Sequence, residues 1–120
     1  MPTILIVDDD AVVRGILFDL FSEKYECNTA STADEAIEFL EIEAYDAVVT
    51  DINMPGLDGI DLLKRIQLKD LSTPVILISG KGHEQDSESL MKLGAFAYVQ
   101  KPFNLDDIER VVEEATKREK

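Results

Sequence analysis

Side chains able to handle charge fall just beyond short apolar runs in this chain. Asp8, Asp9 and Asp10 follow Ile4-Leu5-Ile6-Val7, and Asp51 follows Ala47-Val48-Val49-Thr50. Ser79 follows the run from Pro74 to Ile78, with Gly80 after it, and Lys101, followed by Pro102, comes after the run from Phe96 to Val99. Carboxylates packed together repel one another, and without a counterion some of them stay protonated. A divalent cation resolves that repulsion, and oxygen donors with room left for water favour Mg²⁺ over zinc. A hydroxyl and an ammonium beside such a cluster suit an anion with several oxygens, for which a phosphoryl group is the simplest choice.

This chemistry needs elements that bring the four run ends to one place. Ile4-Leu5-Ile6-Val7 is short, continuous and apolar, as expected of a strand buried on both faces, and the other three runs also read as strands. A weaker strand is expected from Glu26 to Ala30. Helical patterns separate the strands. They run from about Ala11 to Ser22, from Thr32 to about Glu43 with a Thr32/Glu35 capping box, and from the Pro/Gly-rich loop Met54–Gly59 through Ile66. Two more run from about Asp86 to Leu93, with Gly94 as C-terminal cap, and onward from Asn104, whose stripe is Leu105, Ile108, Val111, Val112 and Ala115. Strand–helix units repeated five times imply one domain over residues 1–120. The expected fold is an α/β, doubly wound, five-stranded parallel sheet with helices on both faces. Ligands of such sheets bind at the carboxyl ends of the strands, where the acids, the serine and the lysine fall.

Composition narrows the function classes. The 120 residues are 45% hydrophobic and 31% charged, enough for one folded core without staples. Twelve Lys and Arg against 25 Asp and Glu give a formal charge of −13, and no basic patch invites nucleic acid or an anionic membrane. No apolar run nears membrane-spanning length, and no basic leader precedes the first strand. One cysteine, Cys27, forms no internal disulfide and fits a reducing cytoplasm; it reads as a small apolar residue of the second strand.

Four segments, in order and at the expected intervals, resemble the receiver (CheY-like) domain of two-component response regulators. They are Ile4-Leu5-Ile6-Val7-Asp8-Asp9-Asp10, Thr50-Asp51-Ile52-Asn53-Met54-Pro55-Gly56-Leu57-Asp58-Gly59, Ile78-Ser79-Gly80 and Tyr98-Val99-Gln100-Lys101-Pro102-Phe103. The resemblance implies a flavodoxin-like (βα)5 fold and a phosphoacceptor and switch domain, catalysing only its own phosphorylation and dephosphorylation. It implies Asp51 as phosphoacceptor, and Asp8 and Asp9 as the acidic pair that binds Mg²⁺ with Asp51 and the backbone carbonyl of Asn53. Ser79 and Lys101 are expected to hold phosphoryl oxygens. Ser79 and Tyr98 match the switch pair that remodels the face made by the fourth helix, fifth strand and last helix, and a cis Lys101–Pro102 bond is expected. The implied partners are a sensor histidine kinase or histidine phosphotransfer protein and a downstream output domain or protein, with a phosphorylation-dependent homodimer compatible with the same face.

Each segment alone has a simpler reading. Asp8 to Asp10 suit a strand end that caps the next helix, the role given to Asp10. Asp51 suits a turn start, and Lys101 a solvated cation. His83 reads as a surface residue, and Gly80-Lys81-Gly82 lacks the spacing of a phosphate-binding loop. A rival from another class is a phosphohydrolase resembling the haloacid-dehalogenase superfamily, with Asp8 and Asp10 around one residue and Asp106-Asp107 as the terminal acids. That rival leaves Asp51 and its Pro-Gly loop unexplained.

The first helix carries more apolar residues than one buried stripe needs. On a 3.6-residue wheel, Val12, Val13, Ile16, Leu17, Leu20 and Phe21 occupy the half expected to face the sheet. Ala11, Arg14, Gly15 and Phe18 fall outside it. Beside Pro102 and Phe103 they form the expected docking surface for the phosphodonor.

Overall fold

The five apolar runs form strands and the intervening patterns form helices. In chain order they are β1 (Thr3–Val7), α1 (Ala11–Phe21), β2 (Glu26–Ala30), α2 (Ala33–Ile42), β3 (Ala47–Asp51), α3 (Gly59–Leu68), β4 (Val75–Ser79), α4 (Ser87–Lys92), β5 (Ala97–Gln100) and α5 (Leu105–Thr116). The computed structural model describes residues 1–69, 72–80 and 87–117. Lys81, Gly82, His83, the expected helix start at Asp86 and residues 118–120 of the polar end lie outside the described residues.

All strand pairs are parallel, in the order β2-β1-β3-β4-β5. The three central strands are buried almost throughout, which is why they read as continuous apolar runs. The second strand reads weakly because it is an edge strand, with only Ala30 fully buried. Chain direction across the sheet reverses at β1, since β2 lies on one side of it and β3 on the other. The crevice beyond β1 and β3 is therefore the topological switch point where such sheets bind ligands.

Each face carries its own core. Leu5, Val7, Val48 and Leu77 point toward α2, α3 and α4, whereas Ile4, Ile6, Val49, Ile76 and Ile78 point toward α1 and α5. The alternation follows from the two-residue period of strand side chains.

Local details depart from the sequence expectations where packing overrides pattern. The buried stripe of α1 is Val13, Leu17, Leu20 and Phe21; Val12 and Ile16, expected to face the sheet, are 69% and 45% exposed. A helix wedged between a sheet and one neighbour covers an arc near 100° wide and not half its circumference, and those two residues sit on the uncovered flank. Leu105, expected in the α5 stripe, is exposed in the first turn, beyond the covered Ile108, Val112 and Ala115. Thr32 caps α2 by accepting from Glu35 N at 3.1 Å, but the Glu35 carboxylate takes the N–H of Ser31 and not that of Thr32. The full reciprocal capping box belongs to α3, between Asp58 and Asp61.

Candidate functional site

The site is assembled by the ends of β1, β3, β4 and β5. Asp8 continues β1 by one residue, its N–H bonding to Ala30 O at 3.1 Å, and its carboxylate is drawn inside. Asp8 Oδ1 accepts from Asp10 N at 2.9 Å, which leaves Oδ2 buried and without a hydrogen bond among the described residues. Asp10 turns the other way and caps α1 through Val12 N and Val13 N, as the sequence suggests.

Asp51 ends β3 and is only 5% exposed. The chain beyond it folds back, with Gly59 N donating to Ile52 O at 2.9 Å. A Cβ at Gly59 would run into Asp51 O and lie 2.9 Å from Ile52 Cα, so α3 can start this close to the end of β3 only with glycine there. Thr50 Oγ1 donates to the same Asp51 carbonyl at 3.0 Å. Gly59 and Thr50 are thus structural partners of Asp51 that sequence reasoning missed, although the Asp58-Gly59 pair before an amphipathic run was the available signal.

Lys101 lies over this pit. Its backbone N–H bonds to Ser79 O, at 2.6 Å, and its Nζ stands 3.5 Å from both Asp8 Oδ2 and Asp51 Oδ1. The Lys101–Pro102 bond is cis. Ser79 ends β4 fully buried, and its Oγ donates to Gly80 O at 3.3 Å. Asn53 is exposed two residues beyond Asp51. Tyr98 pairs in register with Leu77 and rests half-buried against the core on the α2–α3–α4 face.

Electrostatics mark the pit as short of positive charge. Burial, followed by the charge of Asp8, pushes the Asp51 carboxyl from its ordinary 3.8 up to about 6, with Lys101 pulling the other way. Burial likewise raises Asp8, against the Asp10 N–H and Lys101. One ammonium at 3.5 Å does not offset two desolvated carboxylates. Asp8, Asp9 and Asp51 each offer an oxygen within 4.8 Å of the others, a hard-oxygen donor set that fits a divalent cation such as Mg²⁺ and would give Asp8 Oδ2 a closer partner than the Lys101 ammonium, directly or through water.

The structure therefore brings Asp8, Asp9, Asp51 and Lys101 together, with Ser79 on the adjoining strand end. Asp106 and Asp107 stay exposed in the first turn of α5, which removes the terminal acids of the phosphohydrolase reading. Ala11, Arg14, Gly15 and Phe18 do share a groove, with Asp19 and Thr29. One wall of the groove is Thr29 of β2, and Phe103 packs against the core cluster that holds Leu17 and Phe21 of the same helix. Among the described residues no helix is long and apolar enough to cross a membrane.

Residues 4–113 match the family described as the response regulator receiver domain. The chain is 31% identical over 108 residues to the cell cycle response regulator CtrA of Brucella ovis, an alignment covering 90% of this chain and 47% of that protein. It thus spans about half the length of the curated relatives it matches. Among solved structures it is similar to the receiver domain of the Francisella response regulator 1452, 32% identical with a TM-score of 0.92 and full coverage of both chains. It is also similar to the receiver domain of NtrX from Brucella abortus, 34% identical with a TM-score of 0.89 and covering 97% of this chain and 99% of that one. A family match that runs from β1 into α5 takes in every strand and helix described above, and the chain therefore belongs to the receiver domains of response regulators.

Proposed function

We propose that residues 1–120 act as one cytoplasmic receiver domain in which Asp51 accepts a phosphoryl group from a histidine kinase or histidine phosphotransfer protein. The observation that carries this reading is the position of Asp51, a buried carboxylate flanked by two further acids and 3.5 Å from the Lys101 ammonium. An Asp51 oxygen attacks phosphorus, the new O–P bond forms as the P–N bond to the donor imidazole breaks, and the freed imidazole leaves with the donor. Asp8, Asp9, Asp51 and the Asn53 carbonyl are the groups assigned to hold Mg²⁺. When bound, Mg²⁺ supplies the charge that separates the carboxylates from the incoming anion. Lys101 and the Ser79 hydroxyl each take one phosphoryl oxygen.

The switch follows from Ser79 and Tyr98 on neighbouring strands. Ser79 shifts toward the phosphoryl group and Tyr98 rotates inward against the α4 side of the core, biasing a two-state equilibrium that an output domain, or a second copy of the chain, reads at α4, β5 and α5. The donor docks on the exposed side of α1 through Ala11, Arg14, Gly15 and Phe18, together with Pro102 and Phe103. Exposed Val12 and Ile16 supply apolar area on the other flank of the helix.

Mass spectrometry after treatment with a small phosphodonor and Mg²⁺ tests the assignment. One phosphoryl group on Asp51, labile to base and to hydroxylamine, is expected, together with its loss on omission of Mg²⁺ or in Asp51→Asn. Equal incorporation in Asp51→Asn would sink it, and sustained hydrolysis of a phosphate ester through Asp8 would restore the enzyme reading.

A further inference from the structure

The sequence places Arg14 on the outer side of α1, yet its guanidinium turns back toward the sheet, and Nη1 donates to Asp8 O at 2.8 Å. That carbonyl lies one residue past β1, at the point where the chain leaves the sheet for the acidic turn.

Asp9 sits between two peptide units, and each is held by one hydrogen bond. The unit before it is held by Arg14 on the Asp8 carbonyl, and the unit after it by Asp8 Oδ1 on the Asp10 N–H at 2.9 Å. Those two planes set φ and ψ of Asp9 and so the direction of its Cβ. The exposed carboxylate of Asp9 makes no hydrogen bond of its own among the described residues, so its aim toward Asp8 and Asp51 rests on the Cβ direction that the backbone sets and on its own rotamer. The second bond is supplied by Asp8, itself a member of the acid cluster. The first comes from a residue outside the cluster, and a bond from a charged donor to a carbonyl is stronger than a neutral one.

We propose that Arg14 is a positioning residue for the cation site, fixing the Asp8–Asp9 peptide so that Asp9 presents its carboxylate beside Asp8 and Asp51. The inference rests on the reading of those acids as Mg²⁺ ligands. It gives Arg14 a role apart from donor docking, and that role has an electrostatic signature of its own. A positive charge near the site opposes a cation, so if Arg14 acted only through charge, its removal would tighten Mg²⁺ binding. A positioning role has the opposite sign.

The test is an NMR titration of wild type, Arg14→Met and Arg14→Lys with Mg²⁺, followed at the backbone amides of residues 8–11 and 51–53, with amide exchange measured without metal. Arg14→Met is expected to bind Mg²⁺ about tenfold more weakly, the scale of losing an outer partner of a metal ligand. Faster exchange is expected at Asp10 and unchanged exchange in β4. Arg14→Lys, which keeps the charge and can still reach the carbonyl, is expected between the two. Equal or tighter Mg²⁺ binding by Arg14→Met, with wild type binding normally, overturns the positioning role alone. Failure of wild type to bind Mg²⁺ overturns the cation reading and the positioning role with it.

Discussion

Replacing Asp51 by its neutral isostere asparagine should make the metal-free protein more stable. Asp51 titrates at about 6 when folded, against an ordinary 3.8, because burial and the neighbouring Asp8 disfavour its charge more than Lys101 favours it. Between those two values the folded state holds a proton that the unfolded state has released. Raising the pH through that window therefore costs stability, and the full cost is present above about pH 6. At about 1.4 kcal/mol for each tenfold change in proton affinity, the shift corresponds to about 3 kcal/mol. Coupling to Asp8, which is raised for the same reason, shares part of this between the two acids, so about 2 kcal/mol is a fair expectation for Asp51→Asn alone. The assay is urea unfolding followed by circular dichroism, in chelator, at constant ionic strength and at pH values from 3.5 to 8. Asp51→Asn should exceed wild type by about 2 kcal/mol at pH 7.5 and converge with it near pH 4, with the urea slope unchanged. Added Mg²⁺ should raise wild type and narrow the gap, since a ligand that binds only the folded state stabilises it. A variant that is less stable than wild type at pH 7.5, or a gap that does not depend on pH, would refute the account of Asp51 as a strained buried anion.

Lys101→Met removes the ammonium 3.5 Å from both Asp8 and Asp51, so it should cost about 1–2 kcal/mol at pH 8 and less at pH 4, where Asp51 is protonated; unfolding curves at both pH values check this. Gly59→Ala drives a methyl into the Asp51 carbonyl and Ile52 Cα, backbone that cannot rotate away, and should lower stability by about 1–3 kcal/mol while slowing phosphorylation by a small donor. Phe18 is 41% exposed, so Phe18→Ala should cost under about 1 kcal/mol, against about 3 kcal/mol for Leu17→Ala in the core, yet slow transfer from a cognate kinase and spare small-donor phosphorylation. A large fall in melting temperature for Phe18→Ala would assign that ring to packing.

What could be read without coordinates was whatever depends on period and order. Buried parallel strands leave continuous apolar runs, and the rule that ligands gather at their carboxyl ends placed Asp8, Asp51, Ser79 and Lys101 at one mouth. What could not be read depends on distances across the chain. Val12 and Ile16 obey the helical period but lie beyond the arc that the sheet and α5 cover, and no one-dimensional pattern gives the width of that arc. Glu35 stands at capping-box spacing and still takes the Ser31 N–H, where the Ser31 hydroxyl is a second donor to the same oxygen. Arg14 is the sharpest case. On a helical wheel a charged side chain pointing outward is a surface residue. A guanidinium is long enough to reach back over one turn, and the carbonyl it reaches lies past the end of β1, where the strand ladder no longer supplies a donor. The pit beside it follows the same logic. β1 and β3 end side by side and desolvate two carboxylates, and their repulsion keeps the site poised for positive charge, first from Lys101 and then from a bound cation. The instability of the metal-free acid cluster and the affinity expected of it for Mg²⁺ have one cause, so a substitution that relieves the first should weaken the second.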